Sequence, residues 1–236
     1  MDNSSLNKSF SIIVPAYNES ESIVGAITKD IEVLNRFGYA YELIVVNDGS
    51  NDNTLQLLKE NYSKEPLVKI LSHETNLGLG AAVKTGMRAA GKNAVIVAPV
   101  DSPLNEQMFQ SFINNYPKAD VLVSYRTERK GYTPYMRFNS WLYKKIISLL
   151  FNMHLKDYNW IHLYKTEPLR KAGIEIESTG IFMLAEILIK TQRAGLTMVE
   201  FPVDHDRRLT GSPSAVKFKV MVRTAKEMFM FFSSNK

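Results

Sequence analysis

The chain contains no cysteine. That excludes disulfides, thiolate nucleophiles and cysteine-ligated zinc, and it fits a reducing compartment. It has no uninterrupted apolar stretch of the roughly 18 residues that a membrane-spanning helix needs. No secretory leader is visible: residues 1–9 are polar, and the first apolar run, Ile12–Val14, is too short for the core of a signal peptide. Zinc-finger spacings and aromatic motifs of the RNP kind are missing too, and a net charge of +5 is modest, so nucleic acid is a poor candidate partner. The expected location is cytoplasmic, with peripheral attachment to the inner membrane face as an option.

What is present is a globular composition. The 236 residues are 45% hydrophobic, enough to bury a sizeable core. No internal repeat, linker or low-complexity tract breaks the chain, so residues 1–236 read as one domain. Arginine and lysine gather in its C-terminal half, among them Arg126, Arg137, Lys144, Lys145, Arg207, Arg208, Lys217 and Arg223. That gathering is either a solvated basic face or an attraction to phosphate, on a ligand or on an anionic membrane.

Up to about Tyr125 the text alternates strand and helix. Strands are expected at Ser11–Val14, Glu42–Val46, Val68–Ser72, Ala94–Ala98 and Val121–Ser124. Helices fall between them at Ser20–Phe37, Asn53–Tyr62, Gly80–Ala90 and from Pro103 or Leu104 to about Asn115. This alternation predicts an α/β fold with a mainly parallel sheet flanked by helices. After Tyr125 the pattern changes. An aromatic, lysine-rich helix is expected over Tyr135–Phe151, a strand over Trp160–Lys165, a helix over Gly180–Ala194 and a strand over Thr197–Val203. An amphipathic helix over Val216–Phe232 follows, with Met221, Val222, Ala225, Met228 and Phe229 on one side.

Two segments carry the most chemistry. Phe10-Ser-Ile-Ile-Val-Pro-Ala-Tyr-Asn-Glu19 and Glu42-Leu-Ile-Val-Val-Asn-Asp-Gly-Ser50 are short apolar runs that stop abruptly at turn-forming residues. Buried parallel strands read this way, and ligands of open α/β sheets sit at their carboxyl ends. Glu19 and Asp48 are therefore expected to face one crevice. Each also has a structural reading, Glu19 as a helix-dipole partner and Asp48 as a turn residue. Asn76-Leu-Gly-Leu-Gly-Ala-Ala-Val83 imitates a dinucleotide fingerprint, but Val83 stands where the third glycine belongs and the unit is the third in the chain, not the first. Close packing of the following helix is the better account, with Lys84 able to approach a phosphate. Asp101 at the end of the fourth strand is either a helix-capping acid or a ligand for a divalent metal. Asp157 is a turn acid or a general base. The polar loop His205–Pro213 is a surface loop or a lid whose arginine clamps a diphosphate.

The order Val-Pro-Ala-Tyr-Asn-Glu, Val-Asn-Asp-Gly-Ser-x-Asp-x-Thr, then Asn-x-Gly-x-Gly-x-Ala resembles the family 2 inverting glycosyltransferases of GT-A fold. Within them it is similar to the dolichyl- or polyprenyl-phosphate mannosyl- and glucosyltransferases, over about residues 10–214. The resemblance implies a Rossmann-like nucleotide-sugar-binding half over about 10–125 and an acceptor half over about 126–236, with C-terminal amphipathic helices. It implies that Pro15, Ala16, Tyr17, Glu19, Val46 and Asp48 hold the nucleotide and that Arg126 meets a phosphate. Asp101 becomes the second aspartate of an Asp-x-Asp motif holding Mg²⁺ or Mn²⁺. Asp157 becomes the acid of the acceptor region, and Arg208 binds the donor diphosphate or the acceptor phosphate. The implied partners are a nucleotide-diphospho-sugar and a polyprenyl-phosphate or glycan acceptor, with possible membrane-surface contact. Three departures stand out. Pro99 replaces the first aspartate of the metal motif, which leaves a non-catalytic nucleotide-sugar binder as an alternative. His162 lies near an expected Arg or Lys, and Ser214 replaces a lysine.

Overall fold

The computed structural model describes residues 8–128, 132–204 and 218–234. Its centre is a seven-stranded sheet. The strands are β1 (Ser9–Ala16), β2 (Ala40–Asp48), β3 (Val68–His73), β4 (Ala94–Val97), β5 (Val121–Arg126), β6 (His162–Lys165) and β7 (Met198–Val203). They lie in the order β3-β2-β1-β4-β6-β5-β7. β6 pairs antiparallel with both β4 and β5, while every other pairing is parallel. The expected mainly parallel α/β sheet is thus the one that forms.

Each face of the sheet carries its own core, because the strands alternate side chains at a period of two. Ile12, Val14, Leu43 and Val45 point to one side. There they meet α1 (Ile23–Phe37), α2 (Thr54–Tyr62) and α4 (Glu106–Asn115) through Ile27, Leu34, Leu58, Phe109 and Phe112. Ile13, Ile44 and Val46 point to the other. There they meet α3 (Leu79–Ala89), α5 (Pro134–Phe151), α7 (Met183–Arg193) and α8 (Phe218–Ser234). Gly86 explains how close α3 comes: a Cβ there would stand 2.5 Å from the Ile13 side chain.

Local chemistry sets the helix ends. α1 stops where Gly38 turns left-handed at φ 67°. Asn105 opens α4 by accepting from the Met108 amide at 2.8 Å. Thr133 opens α5 in the same way, with Pro134 in the first turn. Several expected starts shift for this reason. α1 begins at Ile23 because Glu19–Ser22 forms a turn first. α4 begins at Glu106, so Asn105 is its cap and Asp101 is not. A six-residue helix, α6 (Thr166–Lys171), was not anticipated, being too short to show a period.

Pro15 does not end β1. It pairs in register with Val46, and Ala16 with Asn47. The Ile13 carbonyl accepts from Ala98, so the backbone of alternate residues 13 and 15 faces β4, and it is the β4 ladder that ends before the proline. Among the described residues no helix is long and apolar enough to cross a membrane.

Candidate active site

Three adjacent parallel strands, β2, β1 and β4, release their chains at one edge of the sheet, and the first two loops are stitched together. The Glu19 amide donates to Thr54 Oγ1 at 2.8 Å, the Ser20 amide to Asp52 Oδ2 at 3.1 Å, and the Asn51 amide to Asn18 Oδ1 at 2.8 Å. Asn18 sits at φ 55°, a conformation asparagine tolerates. Burial raises the Asp52 carboxyl, but hydrogen bonds from Thr54 and Ser20 outweigh it and hold the group at about 2. The Glu19 carboxylate accepts from Ser22 Oγ at 3.0 Å. Tyr17 is exposed at the same strand end and Pro15 is half-buried. Ala16 and Val46 are buried in opposite cores. Any ligand contact from those two must come through backbone.

Asp48 departs from expectation. Its carboxylate is turned inward and only 3% of the residue is exposed. Oδ1 accepts from the Leu77 amide at 3.0 Å and lies 2.7 Å from His73 Nδ1; Oδ2 accepts from the Gly78 amide at 2.8 Å. His73 in turn meets Thr85 Oγ1 on α3 through Nε2 at 2.9 Å. Two acids at neighbouring strand ends are costly without partners, and here protein groups supply them: two amides and an imidazole for Asp48, and a hydroxyl for Glu19. The Asp48 side chain clamps the loop that opens α3.

That loop is clamped from outside as well. The segment between α6 and α7 passes over Gly78 and Gly80, where the Gly80 amide donates to the Thr179 carbonyl at 2.9 Å. Buried Glu186 holds the segment by accepting from the amides of Glu177 and Ser178, each at 2.8 Å. α8 secures it from above, with Glu227 accepting from the Gly180 amide at 2.9 Å. Gly78 and Gly80 are therefore there for close packing. Lys84 faces this region: its Nζ is 3.9 Å from Glu175 Oε2.

Asp101 is half-buried in a turn after β4, closed by the Ser102 amide on the Pro99 carbonyl at 2.9 Å. The following loop is pinned where the Leu104 amide donates to Asp30 Oδ1 on α1 at 2.7 Å. Burial pushes the Asp30 carboxyl up to about 7, against the Leu104 hydrogen bond and nearby Lys29. Among the described residues, no three His, Asp or Glu side chains gather as a metal cluster. The donor set is one carboxylate. That fits a Mg²⁺ or Mn²⁺ ion which keeps its waters and takes its other ligands from substrate phosphates, and not an ion caged by protein.

Further along the sheet, Arg126 at the end of β5 and Asp157 before β6 come together. Nε and Nη2 both reach Asp157 Oδ2, at 2.9 and 2.8 Å. Nη1 donates to Tyr132 Oη at 3.0 Å, and the guanidinium lies over the Trp160 ring, 4.4 Å from its centre. Asp157 Oδ1 accepts from the Asn159 amide at 3.2 Å. His162 lies beneath, fully buried, its ring held near pKa 4 by desolvation despite the neighbouring Asp157. A neutral imidazole there cannot replace the cation expected at this position. Arg208 and Ser214 lie outside the described residues. Sequence reasoning missed His73, Glu186 and Tyr132: His73 meets Asp48 only once β3 lies beside β2, while Glu186 and Tyr132 act on the 177–178 segment and on Arg126, which no local pattern links to them.

Comparisons with known proteins agree with this architecture. The uncharacterized glycosyltransferase YkcC of Bacillus subtilis is 31% identical over 140 residues, covering 59% of this chain and 43% of that protein. The dolichyl-phosphate beta-glucosyltransferase ALG5C of Trichomonas vaginalis is 28% identical over 130 residues, covering 50% of this chain and 39% of its own. The chain thus spans under half the length of these relatives. Among solved structures, glucosyl-3-phosphoglycerate synthase from Mycobacterium tuberculosis, in complex with Mn²⁺, UDP and glucosyl-3-phosphoglycerate, superposes with a TM-score of 0.73. It is 17% identical and covers 97% of this chain and 80% of that one. The family model for glycosyl transferase family 2 matches residues 11–174, and the chain belongs to that family.

Proposed function

We propose that the protein transfers a sugar from a nucleotide-diphospho-sugar to a phosphate acceptor carried on a polyprenyl lipid, inverting the anomeric centre. The nucleotide lies across the loops after β1 and β2, against Tyr17, Pro15 and Glu19 and the turn that Asp48 anchors. The diphosphate lies toward Asp101. The acceptor oxygen attacks the anomeric carbon as the bond to the diphosphate breaks, and the diphosphate leaves with the bonding pair. Arg208 is the cation offered to phosphate oxygens, while Arg126, already bound to Asp157 and Tyr132, contributes its charge from behind. Asp101 would hold a divalent cation arriving with the donor, whose chemistry when bound is to offset charge on the departing diphosphate.

The observation that favours a phosphate over a hydroxyl acceptor is the Arg126–Asp157 pair. A hydroxyl must lose a proton, and Asp157 is the candidate base, but its oxygens are already occupied by the guanidinium and the Asn159 amide. A phosphate arrives ionised and needs no base. The similarity to the Trichomonas dolichyl-phosphate beta-glucosyltransferase supports the same acceptor class. The test is to offer labelled UDP- and GDP-sugars with Mn²⁺ against two acceptors, a polyprenyl phosphate in detergent and free saccharides. Label in the organic phase supports the proposal. Label only on saccharides overturns the acceptor, and donor binding without transfer or hydrolysis overturns the activity.

A further inference from the structure

α5 and α8 cover the same face of the sheet, and their outer surfaces are more apolar than a solvated face should be. On α5, Ile147 and Phe151 are buried while Phe138 is 56% exposed, Trp141 51% and Leu149 85%. On α8 the outward set differs from the one its periodicity suggested. Thr224, Met228 and Phe231 take the inward side, leaving Val222, Ala225 and Phe229, the last 69% exposed, to face out. The two surfaces are continuous, since Met221 of α8 receives both Tyr135 Oη at 3.7 Å and Asn139 Nδ2 at 3.8 Å from α5.

Charge identifies what covers this surface. α5 carries Arg137, Lys144 and Lys145 and no acid; α8 carries Lys219, Arg223 and Lys226 against one acid, Glu227. Six cations and one anion give these two helices +5, the whole net charge of the chain, so the remainder sums to zero. A second copy would bring the same +5 against itself. Exposed aromatic and aliphatic side chains interleaved with lysine on a helix lying flat are instead what an anionic bilayer surface accepts: rings enter the headgroup region and the cations stay with lipid phosphates.

We infer that α5 and α8 together form a docking surface for the face of an anionic lipid bilayer, seated through Phe138, Trp141, Leu149 and Phe229 with Lys144, Lys145 and Lys226 at the headgroups. Membrane binding without transfer to a lipid phosphate would leave this inference intact and remove the acceptor proposal; transfer in detergent without vesicle binding would do the reverse.

The test is co-sedimentation of the protein with vesicles of phosphatidylcholine alone or with about a third phosphatidylglycerol, at low and high salt, without nucleotide. Binding is expected at least tenfold tighter to the anionic vesicles and weakened by salt. Trp141 supplies a direct readout, because the second tryptophan, Trp160, is 9% exposed and shielded. Its emission should shift to the blue on binding and be quenched by brominated lipid. Phe138→Ser/Phe229→Ser and Lys144→Glu/Lys145→Glu alter exposed or half-buried positions, so thermal unfolding should stay near wild type while binding falls at least tenfold in each. Equal binding to neutral and anionic vesicles, an unshifted Trp141, or a stable dimer in sedimentation equilibrium that the same variants dissociate would each overturn the inference.

Discussion

The Arg126 guanidinium donates to Asp157 Oδ2 through both Nε and Nη2, so two residues expected to meet different substrates meet each other. Both side chains are close to buried, at 11% and 5% exposure. Removing one partner of such a pair strands the other charge, at a cost of roughly 3–5 kcal/mol, whereas removing both costs much less. Arg126→Met and Asp157→Leu should therefore each lower stability by about 3 kcal/mol, and the double variant should recover a good part of the loss. Urea unfolding of the four proteins checks this, and strictly additive losses would show that the pair is not coupled.

Gly80 tests the clamp around α3. A Cβ there would stand 2.0 Å from the Ser178 carbonyl oxygen, a backbone atom with no rotamer to yield. Gly80→Ala should cost roughly 3 kcal/mol as an overpacking change and loosen the segment held by Glu186. Gly25, inside α1 with nothing within 4 Å of its added Cβ, is the control. Gly25→Ala should gain about 0.5–1 kcal/mol through helix propensity alone. Thermal unfolding separates the two; a neutral Gly80→Ala would mean the Thr179 segment gives way freely.

How much was legible in the sequence follows from where the information sits. β1 and β2 were readable because each is a β-branched run ending at a polar turn, and the parallel sheet followed from alternation. Gly78 and Gly80 were readable as packing residues, but their partner was not: the Ser178–Thr179 segment lies about 100 residues away, and no local pattern connects them. The reversal of β6 was equally hidden, since four residues carry no sign of direction. Asp48 shows the limit at the site itself. A carboxylate at a strand end looks the same in sequence whether it faces a ligand or its own loop, and His73 decides the matter only once β3 is placed beside β2. On α8, periodicity found the apolar residues but not their seat, because the stripe is wider than the surface beneath it.

Two buried groups set opposing pH dependences. Asp30 has its carboxyl raised from 3.8 to about 7, so the unfolded chain releases this proton first and stability falls as pH rises from about 4 to 7. His162 has its ring lowered from 6.5 to about 4, so the unfolded chain takes up this proton first and stability falls as pH drops from 6.5 toward 4. Between pH 4.5 and 6 the two slopes oppose and largely cancel. Asp30→Asn keeps an acceptor for the Leu104 amide and removes one slope. It should be more stable than wild type by roughly 2–4 kcal/mol at pH 7.5, and newly acid-sensitive by about 1.4 kcal/mol per pH unit below 6.5. Urea midpoints at four pH values decide it, and a profile parallel to wild type would refute the assignment.

A site with one carboxylate offers a divalent ion too few ligands to hold it against water, and the donor's two phosphates must supply the rest. Titration of Mn²⁺ alone should give no calorimetric signal in the micromolar range, while titration in the presence of UDP or GDP should give saturable uptake. Asp101→Ala should weaken that nucleotide-dependent uptake at least tenfold. Pro99→Asp should act in the opposite direction, bringing Mn²⁺ binding within reach even without nucleotide. Tight Mn²⁺ binding by the wild type alone, or undiminished uptake by Asp101→Ala, would move the metal to other residues and take the diphosphate end of the proposed site with it.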